Sequence, residues 1–152
     1  MGIERDYEEL VISGKVKVID SDVVKVKELV FLGKEKCSQA LLDAKLVGSK
    51  GDFKDVLVRL HDGFVLYSCG FLAACEIEVD VEYVFLAFCV RYPTLEFDYT
   101  ILESLRGKCM SESGAVSYVD WKKIQFYVTM YTSIFEEYAS QRGWLYEVAS
   151  GF

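Results

Sequence analysis

The chain has 152 residues, of which 52% are apolar and 27% charged, with 10 Tyr, 10 Phe and 2 Trp. That is enough for one domain with an aromatic-rich core, and it excludes a disordered chain. The net charge of -7 argues against a general grip on phosphate backbones, and a single proline, Pro93, argues against a turn-punctuated sheet protein.

The N-terminal stretch "MGIERDYEEL" is charged and has no apolar centre, so no signal peptide is expected. Its Met-Gly start is a myristoylation cue, but Asp6 stands where that signal wants Ser or Thr. "RDYEELVISG" reads as a short helix stopped by Gly14. The alternating Val and Lys of "KVKVIDSDVVKVKELVFLG" fit either a strand, turn and strand, or a loop followed by a helix capped at Asp20 or Ser21. The helix is preferred. From Val26, small or apolar residues recur at Val30, Gly33, Cys37, Ala40 and Ala44, in steps of four and three. Residues 21–46 are therefore expected to be helical, with Gly48 and Gly51 ending the element, and the small residues would let a second helix approach closely.

Asp52 is expected to cap the next helix. Phe53, Leu57, Leu60, Phe64, Tyr67, Phe71 and Ala74 form its stripe, while Val58, Val65, Cys69 and Leu72 lie on other sides. Apolar residues all round mark a central, buried helix. "DVEYVFLAFCVRY" is a buried strand or helix by periodicity, and its neighbours favour helix. The apolar runs "YVFLAFCV" and "FVLYSCGFLAAC" are each too short to span a bilayer. Pro93 stops the helix, and Thr94 or Asp98 starts the segment holding Leu95, Leu102, Leu105 and Cys109. The last helix carries Trp121, Ile124, Val128, Tyr131, Phe135 and Tyr138 on one side. Ser117 and Asp120 resemble a capping pair at its start, and Gly143 closes it. The tail "WLYEVASGF", with Trp144, Leu145, Tyr146 and Phe152, is apolar enough to fold back on the bundle or cross to a neighbour. No linker, repeat or low-complexity tract divides the chain.

Chemistry-bearing motifs are few. Cys37, Cys69, Cys75, Cys89 and Cys109 form no C-x-x-C pair and are odd in number. They read as buried, reduced thiols in a reducing compartment, without disulfide or zinc. There is no Gly-rich phosphate loop, no H-E-x-x-H and no G-x-S-x-G. His61 is the sole histidine, which excludes a multi-His metal site within one chain. In "VRLHDGF" it could be a general base, but the adjacent Asp62 points to another side of a helix, and the commoner role is a structural histidine. Tyr83, Tyr92, Tyr99, Tyr118, Tyr127, Tyr131 and Tyr138 fit a core with hydroxyls at its rim, or a ligand pocket.

The order of these features resembles that of HEPN-domain proteins. "YEELVISGKVKVIDSDVVKVKELVFLGKEKCSQALLDAK" is similar to their short helix, loop and long helix with spaced Ala. "GDFKDVLVRLHDGFVLYSCGFLAACEIEV" is similar to their second long helix, and "LESLRGKCMSESGAVSYVDWKKIQF" to their late Arg-bearing turn and closing helix. The resemblance covers most of the chain. It implies either an RNase of a toxin system or a partner of a minimal nucleotidyltransferase. The family's RNase motif is an Arg, a polar residue, and a His four to six positions after the Arg. Arg106 fits the first place, but Gly107 follows it, and Met110, Ser111 and Glu112 occupy the His positions. A serine hydroxyl cannot replace imidazole in proton transfer near neutral pH. Arg106 then reads as a cation near the carboxyl end of a helix.

The expected protein is all-α, an HEPN-like up-and-down bundle of five to six helices in one domain spanning residues 1–152. It is expected to be cytoplasmic and dimeric, and to act by protein binding or self-association without a cofactor, a metal or tight nucleic-acid binding. The alternatives are an RNase-type hydrolase using Arg106 and His61, or a bundle that binds a small ligand.

Overall fold

The computed structural model describes residues 2–20, 22–111 and 114–141. Ser21, Glu112, Gly143 and the apolar residues Trp144, Leu145, Tyr146 and Phe152 lie outside the described residues. Within them are six α-helices and one two-stranded ribbon: α1 (Gly2–Ile12), β1 (Val16–Val18), α2 (Val23–Ala44), α3 (Lys54–Ala74), β2 (Ile77–Val79), α4 (Val84–Arg91), α5 (Tyr99–Met110) and α6 (Tyr118–Gln141). Buried residues from all six helices join in one hydrophobic cluster.

α1 ends as its glycine requires. Gly14 takes φ +80°, its N–H bonds to the Val11 carbonyl at 3.2 Å, and the Lys15 N–H reaches back to Leu10 at 2.9 Å. This pair of bonds closes a helix around a left-handed residue. The loop expected next contains a strand. β1 pairs antiparallel with β2, in the register Val16 to Val79, Lys17 to Glu78 and Val18 to Ile77. The chain is therefore not helical throughout. The alternating V-K-V was a strand signal, but its partner lies some sixty residues downstream, beyond α3. Local periodicity cannot show such a partner.

α2 starts later than expected. Its cap is Asp22, whose Oδ1 accepts from the N–H groups of Val24 at 3.0 Å and Lys25 at 3.3 Å. Asp20 and Asp22 share the chemistry of a cap, and the cap falls at the one that directly precedes the helix. The helix also stops at Ala44, before Gly48 and Gly51. Its buried residues are Val30, Gly33, Cys37, Ala40 and Ala44, which is the stripe read from the sequence.

That stripe makes the closest seam of the molecule. A Cβ on Gly33 would sit 2.6 Å from the Tyr67 nitrogen and 2.7 Å from the Gly63 oxygen. One on Gly63 would meet the Cys37 backbone nitrogen at 2.9 Å, and one on Gly70 would meet Val30 Cγ2 at 2.7 Å. α2 and α3 thus touch backbone to backbone, and α3 becomes the central helix. It is long and apolar enough to cross a membrane by length and composition, contrary to the shorter runs read from the sequence, but 72% of that stretch is buried inside the bundle. A core helix wrapped by its own chain needs the same composition.

The remaining elements close over α3. "DVEYVFLAFCVRY" forms a 3-10 turn (Val81–Tyr83) followed by α4, and Pro93 opens a second such turn (Pro93–Leu95), so Leu95 lies outside α5. Asp98 caps α5 through the N–H groups of Thr100 at 2.9 Å and Ile101 at 3.2 Å. α6 lays its aromatic side on α3. The Phe135 ring centroid lies 4.4 Å from Phe71, 4.9 Å from Phe88 and 5.1 Å from Tyr67.

Candidate functional site

The α5–α6 turn is built from both ends. Asp52, placed just before α3, accepts from the Lys54 N–H at 2.9 Å and from the Val116 N–H at 2.8 Å, while the Phe53 N–H bonds to the Val116 carbonyl at 2.9 Å. The ammonium of Lys54 donates to the carbonyls of Lys108 and Ser111 at the end of α5, the latter at 2.8 Å. A cation there meets the negative end of the helix dipole and satisfies carbonyls left without intrahelical donors. This task, expected of Arg106, falls to Lys54. Arg106 sits nearly a turn earlier and pairs sideways with Glu103, Nη1 to Oε1 at 3.7 Å. At the start of α6 the Asp120 N–H bonds to Ser117 Oγ at 3.2 Å, as the capping pattern anticipated.

His61 lies on the side of α3 that faces α4 and α5. It is 5% exposed, and its ring stands edge-on to Phe85 at 5.7 Å. Nδ1 is 3.6 Å from Asp62 Oδ1, which is an ion-pair distance and longer than a good hydrogen bond. Asp62 therefore comes closer to the imidazole than its place on the helix suggested. Nε2 is buried with no hydrogen-bond partner among the described residues.

Burial is the main influence on the His61 pKa, holding it below the ordinary imidazole value. Asp62 opposes this, Arg106 adds to it, and Glu103 opposes it again. His61 and Arg106 are thus within electrostatic reach in a single chain, although they lie on different helices. Their charges repel, so Arg106 adds a smaller share to burial in disfavouring the protonated imidazole. Nearby, burial and the Glu103 carboxylate push the Tyr99 hydroxyl up to about 12. Arg59, the other cation of "VRLHDGF", turns to the far side of α3 and pairs with Asp43 of α2 and with Asp55.

The five cysteines are all free; Cys37 and Cys89 are buried and the other three half-buried. Burial pushes the thiols of Cys37, Cys89 and Cys109 up to about 12, and that of Cys69 to about 11. Such thiols are poor nucleophiles at neutral pH. Among the described residues, no group of three or more His, Cys, Asp or Glu could hold a metal ion.

Two features of the surface beside α6 bear on binding. A groove of about 350 Å³ runs between α5 and α6, floored by Leu102, Leu105, Ile124, Tyr127 and Val128, with Lys108 and Asp120 3.8 Å apart among the groups around it. The second is the outer side of α6. Val119 is 74% exposed, Phe126 64% and Met130 38%. These three were passed over in the sequence because they do not belong to the core stripe. The signal was present: they recur at intervals of seven and four on the side opposite Trp121, Val128 and Phe135.

Compared with known proteins, the chain matches no family model, no curated protein and no solved structure.

Proposed function

We propose that this chain is a non-catalytic helical protein, HEPN-like in arrangement, that works by binding protein, as a partner of a nucleotidyltransferase or as a component of a toxin-antitoxin pair. The observation that carries the reading is the exposed apolar side of α6. Isolated apolar residues are common on surfaces, and three large ones aligned on one long helix support the reading of that side as a contact face. The surroundings of His61 support the same reading. A general base must reach the proton it takes, and this imidazole is sealed behind Phe85, beside a guanidinium of like charge when protonated. A reducing, cytoplasmic setting agrees with five free thiols.

The hydrolase alternative gives the test. Purified wild-type protein and the His61→Gln and Arg106→Ala variants are incubated with generic single-stranded RNA at low salt, and the products are resolved on a denaturing gel. The expected result is intact RNA in all three. Cleavage by the wild type that either substitution abolishes would overturn the proposal in favour of an RNase.

A further inference from the structure

α6 is patterned on two sides. The inner one is the core stripe. The outer one runs Val119, Lys122, Phe126, Thr129, Ser133, Glu137 and Ser140, in steps of three and four, which is a second helical line. Lys122, Gln125, Phe126, Thr129, Met130 and Ser133 line a shallow groove of about 500 Å³ along it. The charges on this helix are unevenly placed. Lys122 and Lys123 lie near its start, beside Asp120, which pairs with Lys108 of α5 at 3.8 Å, and Glu136 and Glu137 lie near its end. The residues from 124 to 135 carry no charge.

We propose that a second copy of the chain docks on this face, α6 against α6, antiparallel about a two-fold axis between Thr129 and Met130. The inference deepens, and rests on, the reading that the protein works through protein contacts. About that axis Lys122 comes opposite Glu137, Lys123 opposite Glu136, and Val119 opposite Ser140. Phe126 comes opposite Ser133, a small side chain in the same groove, where an aromatic ring finds room. A two-fold contact must be complementary to itself, and this helix meets that condition in charge and in size. A parallel pairing would set lysine on lysine and glutamate on glutamate. An unrelated partner would have to supply the opposite charges in the right order, whereas a second copy already has them. The contact has an aromatic at its centre and charges at its ends, which is the arrangement of stable interfaces.

The experiment uses the full chain in reductant at low ionic strength, with mass measured by sedimentation equilibrium. The wild type is expected to be a dimer. Phe126→Asp is expected to be a monomer with an unchanged far-UV spectrum, because Phe126 is outside the core. Two double variants test the register: Lys122→Glu with Lys123→Glu, and Glu136→Lys with Glu137→Lys. Each alone is expected to be monomeric, and an equimolar mixture to form a heterodimer that raised salt dissociates. Since Glu136 also lies 3.5 Å from Lys34 of the same chain, the Glu137→Lys single variant is run beside the second pair as a check on folding. A wild-type monomer, or a dimer that survives Phe126→Asp in a folded chain, would overturn the proposal. A mixture that stays monomeric would overturn the antiparallel register. Dimerisation through another face would leave the protein-binding reading standing and remove this one alone, whereas His61-dependent RNA cleavage would do the reverse.

Discussion

α3 is covered on two sides in opposite ways. Toward α2 it offers glycine, and the two backbones touch at Gly33, Gly63 and Gly70. Toward α6 it offers rings, and Phe64, Tyr67 and Phe71 gather around Phe135. The first seam has no room for another atom. The second is filled by large side chains and is harmed by losing them. One helix can thus be sensitive to gain on one side and to loss on the other, and substitutions separate the two.

The largest effect is expected on the ring side. Phe135 is fully buried and, among the described residues, has five aromatic neighbours: Phe64, Tyr67, Phe71, Phe88 and Phe97. Truncation to Ala removes the ring and leaves a cavity that five rigid neighbours cannot easily collapse into. Phe135→Ala should cost about 3–5 kcal/mol. Urea unfolding measures it, and a loss below ~1 kcal/mol would mean that α6 is not seated on α3 through this ring.

On the glycine side a single methyl is enough. Ala is favoured over Gly in a helix by about 1 kcal/mol. At Gly33 that gain is outweighed, because the new Cβ would meet the Tyr67 nitrogen at 2.6 Å, and backbone cannot step aside as a flexible side chain can. Gly33→Ala should be net destabilising by about 1–3 kcal/mol. A variant as stable as wild type would mean that the helices stand further apart.

A third side of α3 carries His61, and there the comparison becomes one of pH. Its folded pKa is lowered, chiefly by burial, from an ordinary value of 6.5. The unfolded chain therefore binds the proton more readily than the folded one. The native state keeps its full stability above pH 6.5, and loses it as pH falls from there through the folded pKa. Across that window the wild type should lose stability more steeply than His61→Gln, which has no imidazole to protonate. Parallel stability curves for the two chains between neutral and mildly acidic pH would contradict a buried, neutral His61.

These sites also show what a sequence can reveal. The α2 stripe from Val30 to Ala44 and the α3 stripe from Phe53 to Phe71 were legible, because burial on a helix repeats with the helix and needs no knowledge of the partner. The ribbon was not, since Val16 and Val79 are brought together only after α3 has reversed the chain. Lys54 was missed for the same reason: its ammonium serves carbonyls of α5, more than fifty residues away. His61 and Arg106 could be picked out as residue types, but their electrostatic coupling depends on the packing of α3 against α5. The outer line of α6 was legible in principle, because Val119, Phe126 and Met130 keep the period of the helix, yet a core stripe on the same helix drew attention away from them.

The smallest expected effect separates crowding from residue type. Gly107 is, like Gly33, inside a helix, but a Cβ added there would meet nothing within 4 Å. It lies in the last turn of α5, exposed, where its carbonyl accepts from the Ser111 N–H at 3.1 Å. Ala keeps that bond and adds no contact. It also restricts the unfolded chain, which loses less entropy on folding than a glycine does. Gly107→Ala should therefore stabilise the protein by about 0.5–1 kcal/mol, toward the lower end because helix ends constrain the backbone less than helix centres. Paired thermal melts of Gly33→Ala and Gly107→Ala should move in opposite directions. If both fall, α5 is not a regular helix at Gly107; if both rise, the close seam between α2 and α3 is absent. Opposite shifts from one chemical change would trace the difference to the neighbours a glycine has, and not to the glycine itself.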